Sequence, residues 1–234
     1  MMGDYIDFIS AYCDRWCERC AFTARCSAFA TQAAIAMCGD FDEGLELAVG
    51  RPYPADGSPL PEPPAWLAES DNAEATPEET ADFDRRLQAR RARVEETSIM
   101  KVAWAFTQVS HIWLQSSGHT VRAAADTILQ EAVTIADHDA VFITVKLSRA
   151  LHGRDEYAHG DATGEHPVQN DWNGSAKVAL ISIERSESAW RSIAQATGEE
   201  TPAALADQLR DLRAKVEKAF PGAWSFVRPG FDEA

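Results

Sequence analysis

A chain of 234 residues, 45% of them apolar, is long enough for one large domain or two small ones with a real core. Its formal charge of −15, from 22 basic and 37 acidic side chains, speaks against a broad nucleic-acid or anionic-membrane surface, since either needs a positive field. No run approaches the roughly 18 apolar residues of a membrane span.

Met1 to Ser10 lacks the basic and apolar regions of a signal peptide, so a cytoplasmic protein is expected, with cysteines that serve as ligands instead of disulfides. Residues 4–20 are predicted to be helical, with Ile6, Ile9, Cys13, Cys17 and Cys20 on one face. Cys13, Cys17, Cys20 and Cys26, four of the chain's five cysteines, follow the pattern C-x3-C-x2-C-x5-C. Soft thiolates gathered in this way select zinc, copper(I) or iron–sulfur clusters. The alternative, that the first three are small core hydrophobes, leaves Cys26 unexplained.

On a helix the thiols at i, i+4 and i+7 have Cβ atoms about 5–6 Å apart. Tetrahedral zinc, with bonds of about 2.3 Å, needs sulfurs closer than roughly 4 Å. The spacing therefore favours a [4Fe–4S] cluster, with zinc as the alternative. Arg15, Arg19 and Arg25 interleave with the thiols and are expected to lower their pKa values, while Trp16 and Phe22 would shield the site from water. Arg15, Arg19 and Trp16 are accordingly candidate cofactor-binding residues. Cys38 is expected to be a buried bystander.

Two resemblances attach to these cysteines. Cys13, Cys17 and Cys20 match the C-x3-C-x2-C of radical SAM enzymes, whose motif follows the first strand of a parallel barrel. No strand–helix alternation follows here, which excludes that family. Cys17, Cys20 and Cys26 form a C-x2-C-x5-C that resembles half of the cluster loop in helix-hairpin-helix DNA glycosylases. That likeness implies a cluster and not glycosylase activity.

Further helices are predicted at Ser27 to Cys38 and at Phe41 to Val49, the latter closed by Gly50. Residues 1–50 thus read as a cysteine-rich helical module. Residues 51–76, rich in proline, read as an extended connector that Trp66 and Leu67 pin to a surface. Residues 77–234 read as an antiparallel helical bundle, since no segment alternates at period two. The fold class is all-α.

Within that bundle Thr76-Pro77-Glu78-Glu79 is a capping box, opening a helix that runs to about Ser117 with a bend near Thr97-Ser98. Its arginines, Arg85 to Arg93, read as a solvated face paired with nearby acids. Thr120 is expected to cap a long helix through Leu151, followed by a polar loop from Gly153 to Asp171. Asn173-Gly174-Ser175 would open the next helix, to Gly198, and Thr201-Pro202 the last, to near Phe220. Trp224, Phe226 and Phe231 predict that the tail packs back.

The polar loop carries the second set of candidates. Glu156-x-x-His159 has the spacing that resembles the ligand pairs of ferritin-like carboxylate bundles, which implies a possible second metal site with Glu131, His138 and Glu184, and with Glu96 as a further contributor. Arg154 and His159 resemble the R-x4-H signature of HEPN-type ribonucleases, which are helical bundles. That resemblance implies catalysis by His159 on the 2′-hydroxyl proton or leaving oxygen, with Arg154 holding the phosphate.

The resulting expectation is a redox-related metal-binding protein with a redox partner or small-molecule substrate, no membrane association and no nucleic-acid partner. The alternatives are a structural-zinc scaffold without catalysis and a HEPN-like ribonuclease. Oligomeric state leaves no signature in the sequence.

Overall fold

The computed structural model describes residues 4–49, 76–123, 126–160 and 165–233, and among these every regular element is helical. The chain divides into two compact units, Met1–Leu87 with Pro229–Phe231, and Gln88–Arg228 with Asp232–Ala234. The expected connector at 51–76 lies, apart from Thr76, outside the described residues.

In the first unit the helix predicted over 4–20 does not form. The backbone instead makes short 3-10 turns at Ile9–Ala11, Cys17–Arg19 and Thr23–Arg25. The physical reason is local: Phe8 and Arg15 adopt φ of 59° and 61°, the left-handed region that a right-handed helix cannot accommodate. Ile6 N–H donates to Arg25 O at 3.0 Å, closing the segment on itself. Gly230, at φ 76°, lets the chain pass against Ile6 and Ile9, and Phe231 meets Phe22 edge-on with ring centroids 5.1 Å apart.

Helices α1 (Ser27–Cys38) and α2 (Phe41–Val49) form where the sequence predicts them and pack on each other. Gly39 ends α1 in the left-handed conformation, donating to Ile35 O at 3.0 Å. Gly44 of α2 lies directly on the backbone of Ile35, an approach closed to any residue with a Cβ.

Helix α3 (Pro77–Glu95) opens with the predicted box. Glu79 N–H donates to Thr76 Oγ1 at 3.2 Å, and Thr76 N–H donates back to Glu79 Oε2 at 2.8 Å. The bend also falls where expected. Thr97 is extended, its hydroxyl accepting from Met100 N–H, and α4 (Ser98–Trp113) starts anew. A π-helical turn, Leu114–Gly118, leads into the four-residue α5 (His119–Arg122).

The next helix departs from expectation at both ends. Asp126, not Thr120, is its cap, its Oδ1 accepting from Ile128 N–H at 2.9 Å and Leu129 N–H at 3.2 Å. Helix α6 (Thr127–His159) then runs 33 residues, eight beyond Leu151, so the predicted loop at 153–171 is helical over its first part. Asn170 caps α7 (Asp171–Thr197), three residues ahead of the Asn173 start that was expected, and α8 (Glu200–Ala219) begins one residue before Thr201.

In the second unit α6 packs on α4 and α7, and α8 packs on α4 and α7. Phe106, Ile143, Leu147, Leu180, Ile183, Trp190, Leu205 and Leu209 fill the space between them and are fully buried. Helix α7 contributes a small-residue surface, Gly174, Ser175, Ala176, Ala179 and Ser182, that admits close neighbours. Thr107 on α4 donates to Ala140 O at 2.8 Å, and Thr144 on α6 donates to Ala103 O at 3.2 Å, tying α4 to α6 within the apolar layer. The tail does return: Phe226 is 2% exposed, and Lys177 Nζ donates to its carbonyl at 2.6 Å.

Candidate metal centre

Although the helical face is not formed, the 3-10 turns carry Cys13, Cys17, Cys20 and Cys26 to the wall of a single small pocket. Ile9, Trp16, Phe29 and Phe231 supply its apolar lining, and Asp14 and Arg15 its charges. Cys38 takes no part in it. Phe22 N–H donates to Cys20 Sγ at 3.4 Å, a hydrogen bond that a thiolate accepts better than a thiol. Cys13 Sγ donates to Ser10 O at 3.5 Å.

The electrostatics differ from expectation. Arginines were expected to lower the thiol pKa values, yet the Cys17 thiol is pushed up, first by burial and then by Cys13, Cys26 and Cys20 around it, with Glu18 adding to the effect. Arg25 is drawn away to Asp4, with Nε donating to Asp4 O at 3.1 Å, and it does not line the cavity. Arg19 stacks on Trp16, its guanidinium carbon 3.8 Å from the ring centroid. Of the expected cofactor-binding residues, Arg15 and Trp16 line the pocket, and Arg19 does not line it but stacks on Trp16.

Four thiols on one wall make a donor set for a soft metal group. Among the described residues, no three His, Cys, Asp or Glu side chains stand so as to hold a single metal ion.

The second set of candidates is dispersed. Because α6 is continuous, Glu131 and His138 lie about 37 Å and 27 Å along its axis from Glu156, at about 1.5 Å per residue. A loop could have folded Glu156 back to them; a helix cannot. Each candidate also has other company. Glu156 pairs with Arg90 at 3.2 Å, Glu184 with Arg213 at 2.7 Å, and His138 Nδ1 lies 2.9 Å from Asp139 Oδ1. Glu96 pairs with Lys101, and Glu131 is exposed.

Arg154 and His159 both line a pocket with Arg93, Thr97, Leu151 and Asp155. Five residues apart on a helix, they project about 140° from each other around its axis. Arg154 Nη1 donates to Ala219 O at 2.8 Å, and its guanidinium lies 4.7 Å over the Phe220 ring, so it caps the end of α8. His159 is exposed, its Nδ1 3.0 Å from Asp155 O. Arg93 holds Asp155 in a two-pronged pair at 2.9 and 2.7 Å, which keeps that carboxyl below its usual range. This pair was not foreseen, although Arg93 was expected to pair with acids.

No family model, characterised protein or solved structure matches the chain.

Proposed function

We propose that the protein binds a [4Fe–4S] cluster through Cys13, Cys17, Cys20 and Cys26 and uses it in redox chemistry, on a scaffold completed by an antiparallel helical bundle. The observation that carries this reading is the shared cavity of the four thiols. Single-ion zinc sites require sulfurs within roughly 4 Å of one another. The helical spacing that favoured a cluster over zinc on this ground is not formed, so the reconstitution test below decides between the two. Four cysteine thiolates are the donor set of a cubane cluster.

The surroundings fit as well. A cluster's potential responds to charge, to N–H···S bonds and to solvent access. Arg15 is the nearby charge, the Phe22 amide the N–H···S donor, and the Trp16–Arg19 stack the screen from solvent. Bound, the group would supply one-electron transfer, and the chain's residues would hold and insulate it.

The test is anaerobic reconstitution of the full chain with iron and sulfide. About four irons and four sulfides per chain, with a brown colour, is the expected result. Cys17→Ser and Cys26→Ser should each lose most of the iron. A colourless protein that retains one zinc per chain through reconstitution would overturn the cluster reading, and full iron in both variants would overturn the ligand set.

A further inference from the structure

The second unit holds an open groove lined by Thr97, Ser98, Ile99, Leu151, Arg154, Lys215, Lys218 and Ala219. Three of these side chains are cationic and none is acidic, in a chain where acids outnumber bases 37 to 22. Elsewhere in the unit arginines meet carboxylates, as Arg149 does with Asp171, Arg185 with Asp139 and Arg191 with Glu187. Among the described residues Arg154, Lys215 and Lys218 have no such partner.

Each cation is placed for a ligand. Arg154 is held by Ala219 O and by the Phe220 ring, yet this uses one of the five guanidinium donors and leaves a rigid fork. Lys215 and Lys218, three apart on α8, are exposed neighbours whose like charges repel unless an anion sits between them. The opposite wall is the start of α4. Thr97 caps Met100 N–H, but the amides of Ser98 and Ile99 have no acceptor among the described residues, and they carry the positive end of a 16-residue helix.

We propose that this groove binds the phosphate group of a small phosphorylated molecule. The Arg154 fork, the two lysines and the α4 amides with the Ser98 hydroxyl line the same groove, and each is a partner that a tetrahedral dianion accepts from. The adjoining pocket, which shares Thr97, Leu151 and Arg154, leaves room for the organic part beside His159. This inference concerns the second unit alone and does not depend on the metal centre.

Titration of the full chain with inorganic phosphate by calorimetry, at constant ionic strength, tests it. Saturable binding is expected, together with a rise in melting temperature that sodium chloride does not reproduce. Because Arg154 also caps α8, the decisive variant is the surface pair Lys215→Gln/Lys218→Gln. It should keep the phosphate-free melting temperature and lose about tenfold or more in phosphate affinity. Arg122→Gln, remote from the groove lining, should bind as the parent does. Absence of saturable phosphate binding at millimolar concentrations, or equal binding by the double lysine variant, overturns the proposal.

Discussion

Asp139 and Arg185 join α6 to α7 through a two-pronged ion pair, Nε to Oδ2 at 3.0 Å and Nη2 to Oδ1 at 2.7 Å, with the carboxylate wholly buried. His138 Nδ1, 2.9 Å from Oδ1, adds a further contact. The pair is asymmetric, since the arginine keeps about a quarter of its side chain in water (24%) and the aspartate none.

That asymmetry sets the first expected outcome. Arg185→Met leaves a buried carboxylate without its main partner and should cost about 3–5 kcal/mol, whereas Asp139→Ala leaves a cation that can reach solvent and should cost less. Urea denaturation of both variants checks the order. A smaller loss for Arg185→Met than for Asp139→Ala would contradict it.

Gly44→Ala is expected to destabilise the first unit although it improves helix propensity by about 0.8–1 kcal/mol. The added Cβ would overlap Ile35 Cα and stand 2.6 Å from Ile35 N, and backbone atoms cannot rotate aside. A net loss of about 1–3 kcal/mol is the typical scale of such overpacking. Limited proteolysis between α1 and α2 reads it out, and unchanged resistance would show that the helices can separate without cost.

The raised pKa of Cys17 makes the metal-free protein sensitive to alkali. A thiol whose folded pKa exceeds its unfolded value of about 8.5 stabilises the fold below that pH and loses the contribution as pH rises through the folded value. Metal-free protein should therefore weaken from about pH 8.5 upward, and Cys17→Ser should flatten the trend. Metal loading, on the proposed reading of the thiols, should run the other way and improve with pH as protons leave them. Denaturation midpoints across pH 7 to 10 check the sign.

Asp232 carries the opposite dependence. Burial disfavours its charge, but hydrogen bonds from Arg228 and Lys177 outweigh that and hold its carboxyl well below the usual range. A depressed carboxyl stabilises above its unfolded pKa of about 3.9 and loses the contribution as pH falls toward the folded value. Asp232→Asn should lower the denaturation midpoint at neutral pH, and the gap from the parent should narrow in strong acid. A gap of the same size at pH 7 and pH 2 would refute the assignment.

Much of the local structure was legible because its causes are local. The box of Thr76 and Glu79, the restart at Thr97 and the left-handed Gly39 each depend on atoms within four residues, so short patterns reveal them. The four cysteines, close in sequence, line one pocket, but no described group of them is arranged to hold a metal ion. The path itself was misread, since Ile6, Ile9, Cys13, Cys17 and Cys20 mimic a helical face while Phe8 and Arg15 turn the chain into 3-10 segments.

What the sequence by itself determined is therefore helical structure as the regular structure of the described residues, with most helix positions marked. The tertiary structure alone decided how far α6 runs and what its polar end does. Gly153 to His159 reads as loop because its glycine and charges do not favour a helix locally. It is helical because Arg93 clasps Asp155, Arg90 meets Glu156 and Arg154 caps α8, partners that are 62, 66 and 65 residues away in the chain. The same long-range packing separates Glu156 from Glu131 and His138 and brings Arg154 beside Lys215 and Lys218. No residue pattern encodes that charge cluster, because it exists only once α4, α6 and α8 have packed.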